Sequence, residues 1–324
     1  MIDIADIEAA AKRLSGVIVE TPLLRNAELD RIAKGNILIK PECFQSIGSF
    51  KIRGAYNLLS QLSAEQADRG VVAWSSGNHA QGVALAGKLL GIHAAIVMPE
   101  DAPSGKLEST RRLGGEIILY DRYTGDREAI ARKIAGERGA EIVPSYDHPH
   151  IIAGQGTVGL EIADQSAQLG LPVDQALINC GGGGLASGSA VALKSRLPDI
   201  DIYTVEPAAF DDTARSLDCG ERLAVAKDAQ SICDALQAEM PGKIPFDILR
   251  EFATGGVTVT DAEVRDAMRF AFRNLKLVVE PGGAVSLAAV LSGKVETAGK
   301  TTAIVLSGGN VDMDLFGSIQ AELT

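Results

Sequence analysis

Gln175-Ala176-Leu177-Ile178-Asn179-Cys180-Gly181-Gly182-Gly183-Gly184-Leu185-Ala186 holds the architecture of the chain in miniature. Gln175 to Asn179 is an apolar run of strand length. Four consecutive glycines follow Cys180, and a stretch of helical period runs from Leu185 to Arg196. A strand that feeds a loop and then a helix is the repeating unit of a parallel sheet covered by helices. Glycines let backbone approach a ligand closely, and a helix N-terminus offers free N–H groups to an anion. A tight turn alone would also use glycine. Four in a row cost much chain entropy, and phosphate binding explains them better.

The same alternation extends in both directions. Strands are predicted at Asn36–Lys40, Gly70–Trp74, Ala94–Met98, Glu116–Tyr120 and Glu141–Pro144, and later at Ile200–Val205 and Thr302–Leu306. Helical period marks Gln81 to Leu90, Arg127 to Arg138 and Gly156 to Leu169. The class is α/β, with parallel strands between helices. The block from Val71 to Val143 has four strands and its own helices, as a lobe inserted into a larger one would. There is no internal repeat and no low-complexity tract. The chain stops soon after its last strand, so no appended regulatory domain is expected.

Bulk properties narrow the partners. The 324 residues exceed what one core usually holds. Hydrophobic residues make up 46% and charged residues 23%, an ordinary globular balance. A net charge of -11 repels phosphate backbones and anionic lipid, so nucleic acid and membranes are poor partners and a small molecule is the better one. Cys43, Cys180, Cys219 and Cys233 form no CxxC pair and suit a reducing compartment. The acidic N-terminus lacks the order of a signal peptide, and no apolar run approaches the roughly 18–20 residues of a membrane span. The cytoplasm is the expected location.

Ligands of open α/β sheets sit beyond the carboxyl ends of strands. Three unusual loops directly follow strands there: Ser75-Ser76-Gly77-Asn78-His79, Gly181–Gly184 and Ser307-Gly308-Gly309-Asn310. Ser49-Phe50-Lys51-Ile52-Arg53-Gly54 is a fourth candidate. A lysine amine becomes a nucleophile when desolvation or a neighbouring cation lowers its pKa, and it then forms Schiff bases. Phe50 would supply an apolar wall and Arg53 a positive field. By spacing alone, Lys51 still reads as a surface lysine. The Ser75–His79 loop suits a carboxylate, and equally an N-cap. Glu280-Pro281-Gly282-Gly283 opens a further helix without a decided role. Glu206 and Asp212 suit a hard cation, although by spacing they are simply solvated acids. The glycine loop also fits the dinucleotide pattern GxGxxA, with Glu206 near the acidic position ~20 residues on, so a nicotinamide dehydrogenase is an open alternative.

Together these stretches resemble the fold-type II pyridoxal-phosphate enzymes of the serine/threonine dehydratase and serine racemase branch. The matching segments are Glu42–Gln45, Gly48–Ala55, Ser75–His79, Ala153–Thr157, Gly181–Gly184, Glu206-Pro207, Glu280-Pro281 and Leu306–Asn310, in the family's order. The resemblance implies two open, twisted, mostly parallel sheets flanked by helices, like the tryptophan synthase β chain. Residues 1–52 and 147–324 would form the large cofactor-binding domain, and 53–146 a small inserted domain on the substrate side. It also implies a homodimer.

By this resemblance Lys51 carries pyridoxal phosphate as an internal aldimine, and Phe50 packs near the ring. Asn78 meets the 3-oxygen, Gly181, Gly182, Gly183 and Gly184 cradle the phosphate, and Ser307 faces the pyridine nitrogen. Ser75, Ser76, Gly77 and His79 would receive the substrate α-carboxylate. Lys51 takes the α-proton, and Ser76 handles a proton on the opposite face, which implies some racemase activity. Glu206, Phe210 (through its carbonyl) and Asp212 match a site for a structural divalent cation: magnesium, with calcium or manganese as alternatives. Arg127, with His79 as a helper, matches an arginine near the site in racemase-like and hydroxyaspartate-dehydratase-like members; spacing alone allows a local pair with Asp126 or Glu128 equally well. The expected reaction is loss of water from 3-hydroxyaspartate, giving iminosuccinate and then oxaloacetate and ammonia. Serine/threonine dehydratase and amino-acid racemase are the alternatives.

Overall fold

The computed structural model describes residues 2–102 and 104–322. Its strands are β1 (Asn36–Pro41), β2 (Val71–Trp74), β3 (Ala94–Pro99), β4 (Glu116–Tyr120), β5 (Glu141–Ile142), β6 (Gln175–Asn179), β7 (Asp201–Pro207), β8 (Gly255–Val259) and β9 (Thr301–Leu306). They form two sheets. One has the order β1-β9-β6-β7-β8 and the other β4-β3-β2-β5, and every ladder in both is parallel. The α/β class with two helix-flanked parallel sheets is therefore as the sequence predicts.

Alternation of side chains sets the layers. Ile37 and Ile39 of β1, Leu177 of β6 and Ile304 and Leu306 of β9 enter the core on one face of the larger sheet. Leu38, Ala176, Ile178, Ala303 and Val305 enter the core on the other. The smaller sheet divides likewise: Val71, Ala73, Ile96 and Met98 lie on one side, Val72, Ala95 and Val97 on the other. Each fully buried Val, Leu or Ile contributes about 1.5–3 kcal/mol. Strands buried on both faces must be apolar throughout, which is why these runs stand out in the sequence.

Three elements differ from expectation. β8 is not evident from the sequence, because its leading Gly255-Gly256 has the look of a turn; it is an edge strand, paired among the described residues with β7 alone. β5 is two residues long and lies at the sheet edge, where Pro144 has no N–H to continue the ladder. The helix expected from Gly156 begins earlier, at Pro149, with the His148 side chain capping it. Its early glycines are spacers. A Cβ on Gly154 would lie 2.4 Å from the Arg53 carbonyl oxygen, so the helix Pro149–Gln168 rests directly on the helix Lys51–Leu59.

Candidate functional site

Lys51 is the first residue of the helix Lys51–Leu59, and backbone contacts fix its place. The Phe50 N–H donates to the Ser307 carbonyl (3.2 Å), the Gly309 N–H donates to Gly48 (2.8 Å), and Ser49 pairs with Gly308 across an antiparallel bridge. The loop after β9 is thus stitched to the lysine segment. A Cβ on Gly82 would come within 3.1 Å of the Lys51 carbonyl carbon, so the helix Asn78–Leu90 also packs closely there.

The Lys51 Nζ donates to the Ser145 carbonyl at 2.9 Å and stands 5.1 Å from the centre of the Phe50 ring. Burial lowers its pKa to about 8, and the Glu280 carboxylate opposes that fall. The expected positive field of Arg53 is not the cause. Arg53 points the other way, into a buried cluster of its own. Its guanidinium donates to both oxygens of Glu42 (2.8 Å each), to both oxygens of Glu161 (2.5 and 2.8 Å) and to Thr157 Oγ1 (3.0 Å). Lys40 pairs with Glu161 at 2.6 Å and completes two positive and two negative charges. That neutralised group holds the helix, and desolvation alone makes the amine less basic.

Asn78 is gripped from both sides. Its Nδ2 donates to Glu280 Oε1 (2.6 Å), and its Oδ1 accepts from Asn310 Nδ2 (2.7 Å), which also donates to the Ile47 carbonyl (2.7 Å). Burial, with a smaller contribution from Asp234, raises the Glu280 pKa to about 7. A Glu-Pro helix start is common, so the sequence alone does not mark Glu280. Ser307 Oγ accepts from Asn179 Nδ2 (3.1 Å), which also donates to the Gly282 carbonyl (2.8 Å). Asn179, the last residue of β6, had no distinguishing signal beyond being polar in an apolar run.

The glycine loop turns at Gly183, whose φ of 91° favours glycine. A Cβ on Gly182 would lie 2.4 Å from the Tyr146 ring, so any larger residue there must displace that ring. The helix Gly184–Arg196 starts within the loop, as a phosphate cradle requires. Buried amine, polar hydroxyl, oriented amide and glycine loop thus meet at one place. This set fits pyridoxal phosphate: an aldehyde for the amine, a phosphate for the loop, and the 3-oxygen and ring nitrogen for the Asn78 and Ser307 side chains.

The other predicted residues divide into two groups. Ser75, Ser76 and Arg127 line one hollow, with Tyr120 and Arg122. Arg127 does not make the local pairs that spacing offers. Asp126 caps its own helix, and Glu128 pairs with Arg132; among the described residues Arg127 has no ion pair. The Gly77 N–H donates to Ser75 Oγ (3.2 Å). His79 is buried, with Nε2 2.9 Å from the Val143 carbonyl; burial, reinforced by Lys51, lowers its pKa to about 3. Its neutral ring is a packed hydrogen-bond donor and brings no positive charge to aid Arg127.

Glu206 is the penultimate residue of β7, and both its oxygens accept N–H groups of the helix Asp212–Cys219, from Thr213 (3.0 Å) and Ala214 (2.8 Å). A carboxylate so occupied and fully buried is not presented to a ribose, which removes the dinucleotide reading of the glycine loop. Asp212 is buried beside it, and its Oδ2 has no hydrogen-bond partner among the described residues. Burial raises both pKa values, Glu206 to about 8 and Asp212 to about 7, with Asp212 adding to the effect on Glu206. Phe210 is buried between them in sequence. Among the described residues no group of three or more His, Cys, Asp or Glu side chains is arranged for a metal, so any ion there needs main-chain oxygen as well. No helix among the described residues is long and apolar enough to cross a membrane.

Known proteins place this geometry in a lineage. The chain is 42% identical over 314 residues to L-threo-3-hydroxyaspartate ammonia-lyase of Pseudomonas sp, covering 97% of each. It is 40% identical over 311 residues to serine racemase of Schizosaccharomyces pombe, covering 96% of this chain and 95% of the relative. The solved structure of maize serine racemase superposes with a TM-score of 0.92 at 37% identity, over 98% of this chain and 96% of that one. A family profile described as pyridoxal-phosphate dependent enzyme matches residues 14–308, and the chain belongs to that family of enzymes.

Proposed function

We propose that the protein removes water from a small 3-hydroxy amino acid, 3-hydroxyaspartate first among them, and releases the keto acid and ammonia. The observation that carries the chemistry is the desolvated Lys51 amine, with its lowered pKa and its hydrogen bond to the Ser145 carbonyl. Arg127, which has no ion pair among the described residues and shares a hollow with Ser75 and Ser76, supports a substrate with a second carboxylate. The 42% identical relative named for L-threo-3-hydroxyaspartate agrees with it.

Pyridoxal phosphate, when bound, supplies an electron sink for the charge left on the substrate α-carbon. The chain supplies the rest. Gly181, Gly182, Gly183 and Gly184 would hold the phosphate by backbone N–H groups, Phe50 would pack near the ring, and Asn78, oriented by Glu280 and Asn310, would meet the 3-oxygen. Ser307, held by Asn179, would offer the ring nitrogen a hydroxyl in place of a carboxylate. Lys51, free as the neutral amine in appreciable fraction near pH 8, takes the α-proton. Ser75, Ser76, Gly77 and the N–H of His79 receive the α-carboxylate. The Ser76 hydroxyl is a second proton-handling group and the basis of a side racemase activity.

The same reading includes a divalent cation, magnesium foremost, held by Glu206, Asp212 and the Phe210 carbonyl. Two like charges buried together, one with an orphaned oxygen, are the support for it. It also includes a homodimer in the cytoplasm, in keeping with four free cysteines and with Phe44, Phe272, Val278 and Met313 exposed. Residues 1–52 and 147–324 act as one domain and 53–146 as a second.

A keto-acid assay across the stereoisomers of 3-hydroxyaspartate, serine and threonine tests the function. The highest kcat/KM is expected for an isomer of 3-hydroxyaspartate, with Lys51→Ala inactive on all substrates. Higher efficiency on serine or threonine, or turnover by Lys51→Ala, overturns the assignment. Arg127→Ala should lower the ratio of hydroxyaspartate to serine efficiency; an unaltered ratio removes Arg127 from substrate choice.

A further inference from the structure

The hollow that contains Arg127 holds a second arginine. It lies beyond the carboxyl ends of three neighbouring strands: Ser75 and Ser76 follow β2, Pro99 ends β3, and Tyr120 ends β4. Arg122 comes two residues after Tyr120 and lines the same space. Its only ion pair among the described residues is with Asp101, Nε to Oδ1 at 2.8 Å, and both side chains are about half exposed (47% and 48%). An exposed pair of this kind is worth only about 0.2–1 kcal/mol, so Asp101 is an exchangeable partner. Binding through Nε also leaves the Nη donors of the guanidinium unspent.

The charge balance of the hollow points to its ligand. Two guanidinium groups and no carboxylate line it, and Asp101 meets only Arg122 from outside the lining, in a chain whose net charge is -11. A concave site with excess positive charge attracts anions, and the planar fork of arginine matches a carboxylate. Two serine hydroxyls complete a polar lining.

We propose that Arg122 is a specificity-determining residue, which leaves Asp101 and joins Arg127 in holding the distal carboxylate of a dicarboxylic 3-hydroxy amino acid. The inference rests on the function proposed above and adds a second cation and a competing acid to it. Serine and threonine have no group for Arg122 to hold, so it discriminates between substrate classes. Asp101 has the opposite effect: it competes for Arg122 and repels the incoming carboxylate.

The test uses the cofactor-loaded enzyme with 3-hydroxyaspartate and serine as substrates and malonate as a competitive inhibitor. Arg122→Ala should lower the hydroxyaspartate-to-serine ratio of kcat/KM about tenfold, the effect of losing one charge-assisted hydrogen bond of about 1.4 kcal/mol. It should raise the Ki of malonate in parallel, and Arg122→Lys should restore part of both. Asp101→Asn should move both the other way, raising the ratio and lowering the Ki. A structural role would depress both substrates together and leave the ratio constant, which overturns the inference. So does Asp101→Asn acting in the same direction as Arg122→Ala. The two readings fail separately. Hydroxyaspartate turnover that depends on Arg127 but not on Arg122 overturns only this inference. If hydroxyaspartate is not a substrate, malonate inhibition of serine turnover that still depends on Arg122 and Asp101 sustains the anion site, and the proposed substrate falls.

Discussion

The Lys51 amine owes its basicity to two neighbours of opposite effect. Burial lowers its pKa from an ordinary 10.5 to about 8, and the Glu280 carboxylate pulls it back up. In the cofactor-free protein, its rate of acylation by a trace reagent should therefore rise through a midpoint near 8, well below that of the surface lysines. Glu280→Gln removes a charge that favours the ammonium form and should move that midpoint lower still. Peptide mapping after labelling at a series of pH values reads both, and a Lys51 midpoint near 10.5 refutes the account. The stability sign follows. Between pH 8 and 10.5 the unfolded chain binds more protons at this site than the folded one, so this group makes the protein more stable as pH rises through that window. Asn78 shows a different kind of residue-scale control. Glu280 accepts from its amide nitrogen while Asn310 donates to its oxygen, so the amide cannot flip without breaking two bonds.

At the scale of elements, the helix Lys51–Leu59 is anchored by charge as well as by apolar packing. Arg53 ties it to Glu42, just after β1, and to Glu161 of the helix Pro149–Gln168. Removing one member of such a buried cluster leaves uncompensated charge in the interior, which costs about 3–5 kcal/mol. Arg53→Met should therefore lower the unfolding free energy by about that amount, as measured by chemical denaturation, because Glu42 and Glu161 would both lose their principal partner. Loss of less than about 1 kcal/mol would show that the cluster reorganises freely. The matched segment Ala153–Thr157 has its explanation at this scale too. Its Gly154 serves helix contact, since a side chain there would strike the Arg53 backbone.

The whole molecule joins two parallel sheets, with loops of both meeting at Lys51. The loop after β2 brings Asn78, while the loops after β6 and β9 bring the glycines and Ser307. The buried Glu206–Asp212 pair, close to Cys180 at the start of the glycine loop, carries the test of the proposed cation, because two buried acids are unfavourable without a neutralising charge. With chelator, the melting temperature should fall, and magnesium at about 100 times its Kd should restore up to about 2.7 kcal/mol, a shift of a few degrees. Absence of any change with magnesium, calcium or manganese in differential scanning calorimetry would rule out the cation. Light scattering at twice the monomer mass is the expected reading for the proposed homodimer.

The α/β class was legible because strands buried on both faces must be apolar, and parallel strands must be separated by helices. Thr302–Leu306 and Gln175–Asn179 are readable for that reason alone. The glycine loop was legible as well, since a larger residue at Gly182 must displace the Tyr146 ring. β8 was not, because Gly255-Gly256 looks like a turn until β7 supplies hydrogen-bond partners. Lys51 shows the limit most clearly. By spacing it is a surface lysine, and resemblance alone gave it a role; its lowered pKa exists only once the fold removes water from the amine. The directions of Arg53, His79 and Glu206 likewise came from tertiary structure. Sequence shows which charges a chain carries, whereas burial and partner decide what each does: Arg53 neutralised in the interior, His79 kept uncharged, Glu206 closed to a ribose. Local pattern records backbone and hydrophobic periodicity, and only the packed molecule brings side chains distant in sequence, such as Asn78 and Glu280, within hydrogen-bonding reach.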